Sequence, residues 1–65
     1  MTYELHELKR PVMAFDTVLD AVAQSGFKYD SKTRKQAVLH FKESNEPFHM
    51  YYGFHSATIY KIGDF

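Results

Sequence analysis

The sequence predicts a small α+β domain, an antiparallel sheet of four to five strands with one helix, about residues 14–25, packed on one face. Apolar residues recur at helical spacing in that segment, which is typical of an amphipathic helix. Most other apolar residues fall in short runs bounded by turn-forming residues, which indicates strands. The 65 residues contain no repeat, linker or low-complexity stretch, so residues 1–65 are expected to form a single domain.

The first strand is predicted at residues 2–8, where the side chains have the mixed alternation of a short strand. Tyr3 and Leu5 share one face of this strand. Pro11 interrupts the segment, because proline has no backbone N–H to donate to a neighbouring strand and it disfavours helix at Arg10.

The helix at about residues 14–25 is the best-defined element of the sequence. Gly26 is expected to end it, since glycine readily adopts the left-handed conformation that often follows a last helical turn. The apolar stripe of this helix is expected to pack on the sheet. It consists of Phe15, Val18, Leu19 and Val22.

Residues 27–33 are typical of the start of a strand followed by a turn. Residues 36–43 have two interpretations. A strand would place Ala37, Leu39 and Phe41 on one face, whereas a helix would leave Leu39 beside the apolar stripe. The strand is slightly favoured. The helix remains open, because the segment is rich in good helix formers.

A strand is predicted at residues 48–55, bent at Gly53, followed by a turn at Ser56-Ala57 and a last strand at residues 58–62. A hairpin at Gly53 is disfavoured, because Tyr-Gly is a poor two-residue turn compared with Asn-Gly. The predicted order of elements is β-α-β-β-β-β. With the helix on one face of the sheet, the opposite face is left for a partner.

The two faces of the predicted strand at residues 48–55 differ in character. One face mixes ring surface with hydrogen-bonding groups, as protein interfaces do, and carries His49, Tyr51 and His55. With Tyr60 of the last strand, these are the predicted partner-contact residues. An ordinary sheet surface and the reverse assignment of the two faces remain open. The predicted core face consists of Phe48, Met50, Tyr52 and Phe54.

The charges are unevenly distributed along the chain. The formal net charge is zero, which argues against a simple binder of polyanions. Residues 28–42 nevertheless contain five basic residues and one acidic residue. Such a run is usually the solvated face of an element. The alternative is a hairpin tip that holds phosphates through Lys32, Arg34 and Lys35.

Enzymatic chemistry has little to build on in this sequence. It contains no glycine-rich phosphate loop, no GxSxG turn and no HExxH helix. His49 and His55 share a face of the predicted strand but would stand about 20 Å apart, too far to bind one metal ion. We therefore expect no enzymatic activity, no cofactor and no metal site.

The size of the chain limits its core. A domain this small buries only about 60% of the surface that its unfolded chain exposes, and the sequence has no cysteine for a disulfide. A homodimer would add buried surface. We expect a cytoplasmic protein with no membrane contact, because no apolar run is long enough to span a membrane and the N-terminus lacks the layout of a signal peptide.

These observations predict a non-enzymatic protein-binding module. A small chain without catalytic motifs suits an accessory protein of a bacterium or phage that inhibits a larger host machine, including a host-defence system, by occlusion. The alternative is a nucleic-acid-binding protein, in which the aromatic sheet face stacks bases and the basic tip at Lys32, Arg34 and Lys35 holds phosphates.

Overall fold

A computed structural model of the chain describes residues 2–26 and 31–63. The predicted α+β class is confirmed, with two helices in place of one. The described elements follow the order β-β-α-α-β-β, so the predicted order is wrong. They are β1 (Thr2–Glu7), β2 (Met13–Phe15), α1 (Val18–Gln24), α2 (Ser31–Glu43), β3 (Phe48–Tyr52) and β4 (His55–Ile62).

The four strands form one antiparallel sheet in the order β2-β1-β4-β3. The first and last strands of the chain are therefore neighbours at the centre of the sheet, where Leu5 pairs with Ile59. The two edges are β2 and β3. This arrangement agrees with the predicted four to five strands and brings the two ends of the described chain together.

Both helices pack against the same face of the sheet, which we call the covered face. Leu5 and Ile59 are almost fully buried there, and each contributes about 1.5–3 kcal/mol through removal of its side chain from water. The ring of Phe41 from α2 meets the ring of Tyr3 edge-on, with centroids 5.4 Å apart. The buried core consists of Tyr3, Leu5, Val18, Ala21, Val22, Ala37, Phe41, Met50, Ala57 and Ile59.

Helix α1 is shorter than predicted. Its N-cap is Thr17, whose side-chain hydroxyl accepts a hydrogen bond of 3.1 Å from the backbone N–H of Asp20. Phe15 precedes the cap and belongs to β2. Val18 and Val22 are buried as predicted, but Leu19 is 50% exposed and is not a core residue. The prediction placed the helix start too early because Phe15 fits the helical spacing by chance.

The predicted strand at residues 36–43 is wrong, and the helical alternative is correct. These residues belong to α2, where Ala37 and Phe41 lie one turn apart and are both buried. Leu39 lies outside this buried stripe and is 55% exposed. The local preference for helix therefore outweighed the alternating pattern. Of the predicted strand start and turn, residues 27–30 lie outside the described residues, and residues 31–33 are helical.

The predicted continuous strand at residues 48–55 is also wrong, because a hairpin divides it. Gly53 has a φ of 59° and occupies the first position of a two-residue turn completed by Phe54, as in a type II′ turn. Phe54 is fully exposed at the tip, not in the core. Ser56-Ala57, predicted as a turn, lies within β4.

The assignment of the two faces of β3 is supported where the structure describes its side chains. Met50 is buried and Phe48 packs against the core, as predicted. Tyr51 points to the other side and is 73% exposed. Tyr52 belongs to β3, but its side chain lies outside the described part of the chain.

Candidate contact surface

The side of the sheet opposite the helices, which we call the open face, is covered by no described helix. Residues that pair directly across antiparallel strands point to the same side, so the strand register assigns its members. The open face mixes aromatic rings with hydroxyl, imidazole and carboxylate groups. Its side chains belong to Thr2, Glu4, His6, Ala14, His49, Tyr51, Ser56, Thr58, Tyr60 and Ile62.

The rings at the centre of the open face are held by contacts between β1 and β4. The rings of His6 and Tyr60 meet edge-on with centroids 4.6 Å apart. His6 Nε2 also lies 3.1 Å from Oε1 of Glu4, on the same strand. These contacts orient two rings and one carboxylate before any partner binds.

The outer part of the open face is organised around His49 on β3. Its Nδ1 lies 3.0 Å from the hydroxyl of Thr58 on β4, which makes a hydrogen bond across the two strands. The ring of His49 stacks near that of Tyr51, with centroids 6.3 Å apart and planes inclined by 29°. Tyr51 therefore presents most of its ring to solvent beside an oriented imidazole.

Three of the four predicted contact residues, His49, Tyr51 and Tyr60, lie on the open face. His55 does not, because it pairs with Tyr52 across the hairpin and therefore points to the covered side. The prediction continued the alternation of a single strand through the turn. A two-residue turn instead makes the residues at its two ends face the same way.

His55 belongs to a charge cluster that the sequence interpretation missed. The cluster is centred on the carboxylate of Glu7, whose side chain is only 2% exposed. Oε1 of Glu7 lies 2.6 Å from Nη1 of Arg10, and Oε2 lies 2.9 Å from Nε2 of His55. Oε2 also accepts a hydrogen bond of 3.3 Å from the backbone N–H of Gly26. Three donor groups thus surround one buried acid, as a buried charge requires.

The same cluster joins the sheet to the end of α1. Arg10 donates a second hydrogen bond of 3.2 Å from Nη1 to the carbonyl oxygen of Gln24, the last residue of that helix. Gly26 follows, and a Cβ atom there would lie 2.5 Å from Nε2 of His55. The absence of a side chain at Gly26 thus lets the imidazole of His55 lie close to the backbone. Gly26 does not have the positive φ that the sequence predicted.

The contacts of the cluster connect β1, β4 and the end of α1, and we call them the Glu7 clamp. An imidazole beside a carboxylate can serve acid–base chemistry when a nucleophile or substrate hydroxyl stands next to it. The nearby hydroxyl of Ser25 instead donates to the carbonyl oxygen of Val22, 2.7 Å away. In the described ranges, no group of three or more His, Cys, Asp or Glu residues is placed to bind a metal ion.

The predicted basic tip is not a hairpin, because Lys32, Arg34 and Lys35 lie on α2. This helix packs on the covered face, so the basic side chains and the rings of the open face lie on opposite sides of the sheet. Between α1 and α2 lies a groove of about 450 Å³, which we call the basic groove. Its lining includes Leu19, Arg34, Lys35, Val38, Leu39 and Lys42.

Comparisons of the chain with known protein families, with curated proteins and with solved structures return no match. The open face, the charge cluster and the basic groove therefore have to be interpreted from their own chemistry. Neither described helix combines the length and apolar character needed to cross a membrane.

Proposed function

We propose that this protein is a non-enzymatic protein-binding module whose contact surface is the open face. The observation that carries the proposal is the one-sided packing of the domain. Both helices cover one face of the sheet, while the other face presents Tyr51 with most of its ring in solvent. A surface of this kind needs no catalytic group to act.

The composition of the open face supports contact with a protein. Tyrosine is enriched at interfaces, because its ring offers a large contact area and its hydroxyl a hydrogen bond. The neighbouring rings are already oriented, His49 by Thr58 and Tyr60 by His6. Side chains that are fixed before binding lose less conformational entropy when a partner arrives.

We further propose that the protein acts by occlusion, as a small bacterial or phage accessory protein that covers a functional surface of a larger host machine. Occlusion requires area and affinity but no catalytic group, so a sheet face with exposed rings supports this proposal. Cytoplasmic location and self-association as a homodimer belong to the same proposal. The single-domain size fits such a role.

Substitution of Tyr51 tests the proposal. Tyr51→Ala is expected to weaken partner binding by about 1–2 kcal/mol, about 5- to 30-fold, because it removes a large exposed ring from the open face. The matched control is Leu8→Ala, which shortens a side chain that is 78% exposed in the turn after β1, beyond the paired residues that define the open face. Affinity capture with quantitative mass spectrometry identifies the partner, and titration calorimetry with that partner measures the affinities.

Two results would contradict the proposal. One is a partner that binds Tyr51→Ala and wild type equally, both in capture and, for self-association, in sedimentation. The other is tight, salt-sensitive binding of labelled oligonucleotides that is lost when Lys32, Arg34 and Lys35 are all changed to Glu, which would favour the nucleic-acid alternative. That alternative has less support, because the basic residues and the rings lie on opposite sides of the sheet.

A further inference from the structure

The basic groove has an apolar floor. Leu19 and Leu39 are each about half exposed, and with Val38 they form an apolar strip between the two helices. Exposed leucines are common singly, but two that line one recess form a patch suited to a ligand. The described residues place no further element over this strip.

The rim of the groove is basic. Arg34, Lys35 and Lys42 all come from α2, and they extend over about 12 Å of that helix at 1.5 Å per residue. Among the residues that the structure describes, no acidic side chain lines the groove, and the first turn of α2 contains none. The recess therefore presents an apolar floor under a positive potential.

We propose that the basic groove binds an acidic amphipathic segment of a partner protein. Two or three apolar side chains of such a segment would replace water over Leu19, Val38 and Leu39, while its Asp or Glu residues would lie beside the cations. This is the helix-in-groove mode of peptide recognition with complementary charge. The charge pattern selects an acidic segment over a basic one of equal hydrophobicity.

Other anionic ligands fit the groove less well. A nucleic-acid backbone would use the cations but would leave the leucines in water. A membrane surface is met by apolar side chains that project from a helix, whereas here they line a recess. The inference is independent of the open face, because the groove lies on the opposite side of the sheet, and the molecule can hold two partners at once.

The first experiment uses NMR of isotope-labelled wild-type protein. The probe is a synthetic peptide of about 14 residues with Leu at helical spacing and Glu at the flanking positions. The control peptide has the same leucines with Lys in place of Glu. We expect amide shifts at residues 34–42 with the acidic peptide, little change with the basic one, and weaker binding as ionic strength rises from about 0.05 to about 0.5 M.

The second experiment measures the peptide affinities of two pairs of matched variants. Lys35→Glu reverses a charge on the rim, and Lys32→Glu makes the same change on the same helix outside the groove lining. Leu39→Ala shortens a side chain on the floor, and Leu8→Ala does so in the turn after β1. We expect losses of about tenfold for the groove variants and less than about twofold for the controls. Circular dichroism checks that each variant is folded.

Several outcomes would overturn this inference. They are equal binding of the acidic and basic peptides, shifts that map to the open face, and no binding up to about 1 mM peptide. Binding of phosphatidylserine vesicles or oligonucleotides through Leu39 and Lys35 in the absence of peptide binding would do so too. The NMR experiment uses wild-type protein, so it still tests the inference if one of the variants fails to fold. If the basic groove does not bind the acidic peptide, the proposal for Tyr51 still stands, because the open face is on the other side of the sheet.

Discussion

Glu4 and Glu7 lie in the same strand, but on opposite sides of the sheet. Glu4 is on the open face, with its side chain 35% exposed and its Oε1 3.1 Å from Nε2 of His6. Glu7 is on the covered side, where its side chain is only 2% exposed. Its carboxylate contacts Arg10, His55 and the backbone N–H of Gly26. The two glutamates show how the side of the sheet determines what a charge does. The buried one is part of the fold, and the partly exposed one belongs to the proposed contact surface.

The difference follows from solvation. A surface ion pair gains little, about 0–1 kcal/mol, because water screens the attraction and both side chains lose freedom. A buried carboxylate has no water to solvate it, so the removal of any hydrogen-bonding partner leaves part of its charge unsatisfied. The contacts of Glu7 therefore hold together β1, β4 and the end of α1. The contacts of Glu4 and His6 do little more than orient their own side chains.

The largest expected difference between the two sides concerns the core. Leu5→Ala should lower the free energy of unfolding by about 2–5 kcal/mol, because it leaves a cavity in the buried core of the covered face. For so small a domain that is enough to unfold much of the protein. Its neighbour on the other side of the strand, Glu4→Ala, should change stability by less than about 1 kcal/mol. Urea denaturation followed by circular dichroism measures both, and equal effects would refute the one-sided core.

The next comparison removes one side-chain partner from each glutamate. Arg10→Ala takes one of three partners from Glu7 and should cost about 1–3 kcal/mol, a reduced value because Arg10 is itself half exposed. His6→Ala removes the partner of Glu4 and should cost less than about 1 kcal/mol. Thermal and urea unfolding at neutral pH compare the variants. If His6→Ala proved the more damaging, Glu7 would not be the centre of a clamp.

Gly26 allows a smaller and more specific test of the clamp. In Gly26→Ala the new methyl group would lie 2.5 Å from Nε2 of His55, so the imidazole must move away from Glu7. We expect a loss of about 1–2 kcal/mol. In the background of His55→Ala the same change should cost much less, since there the methyl group meets no ring. A double-mutant cycle measures this coupling, and additive effects would show that the imidazole is not held against Glu7.

Elements with one unambiguous local signal could be predicted, whereas segments with conflicting local signals and contacts between distant segments could not. The burial of Val18 and Val22 follows from their helical spacing, and the end of β4 before Gly63 follows from composition. For α2, local preference was the better guide, and the alternation of Ala37, Leu39 and Phe41 misled the interpretation.

The site was only partly visible in the sequence for the same reason. Tyr51 could be assigned to a surface from the alternation along its own strand, and Glu7 carries a comparable signal because it shares the parity of Tyr3 and Leu5. A carboxylate on the buried side of a strand must have hydrogen-bonding partners. Those partners come from a turn, a helix end and the distant hairpin, so the sequence indicates the need for them and not their identity. His55 was misplaced because the turn at Gly53-Phe54 was not recognised.

The smallest expected effect concerns Leu19, whose stripe position predicted a core role. Leu19→Ala should lower the free energy of unfolding by less than about 1 kcal/mol, because half of the side chain is already in water and alanine favours helix. Its matched control is Val22→Ala, one turn away on the same helix, where full burial predicts a loss of more than about 1 kcal/mol. Urea denaturation should separate the two clearly. If Leu19→Ala proved as destabilising as Val22→Ala, Leu19 would be part of the core, and the basic groove would lose the leucine that α1 contributes to its floor.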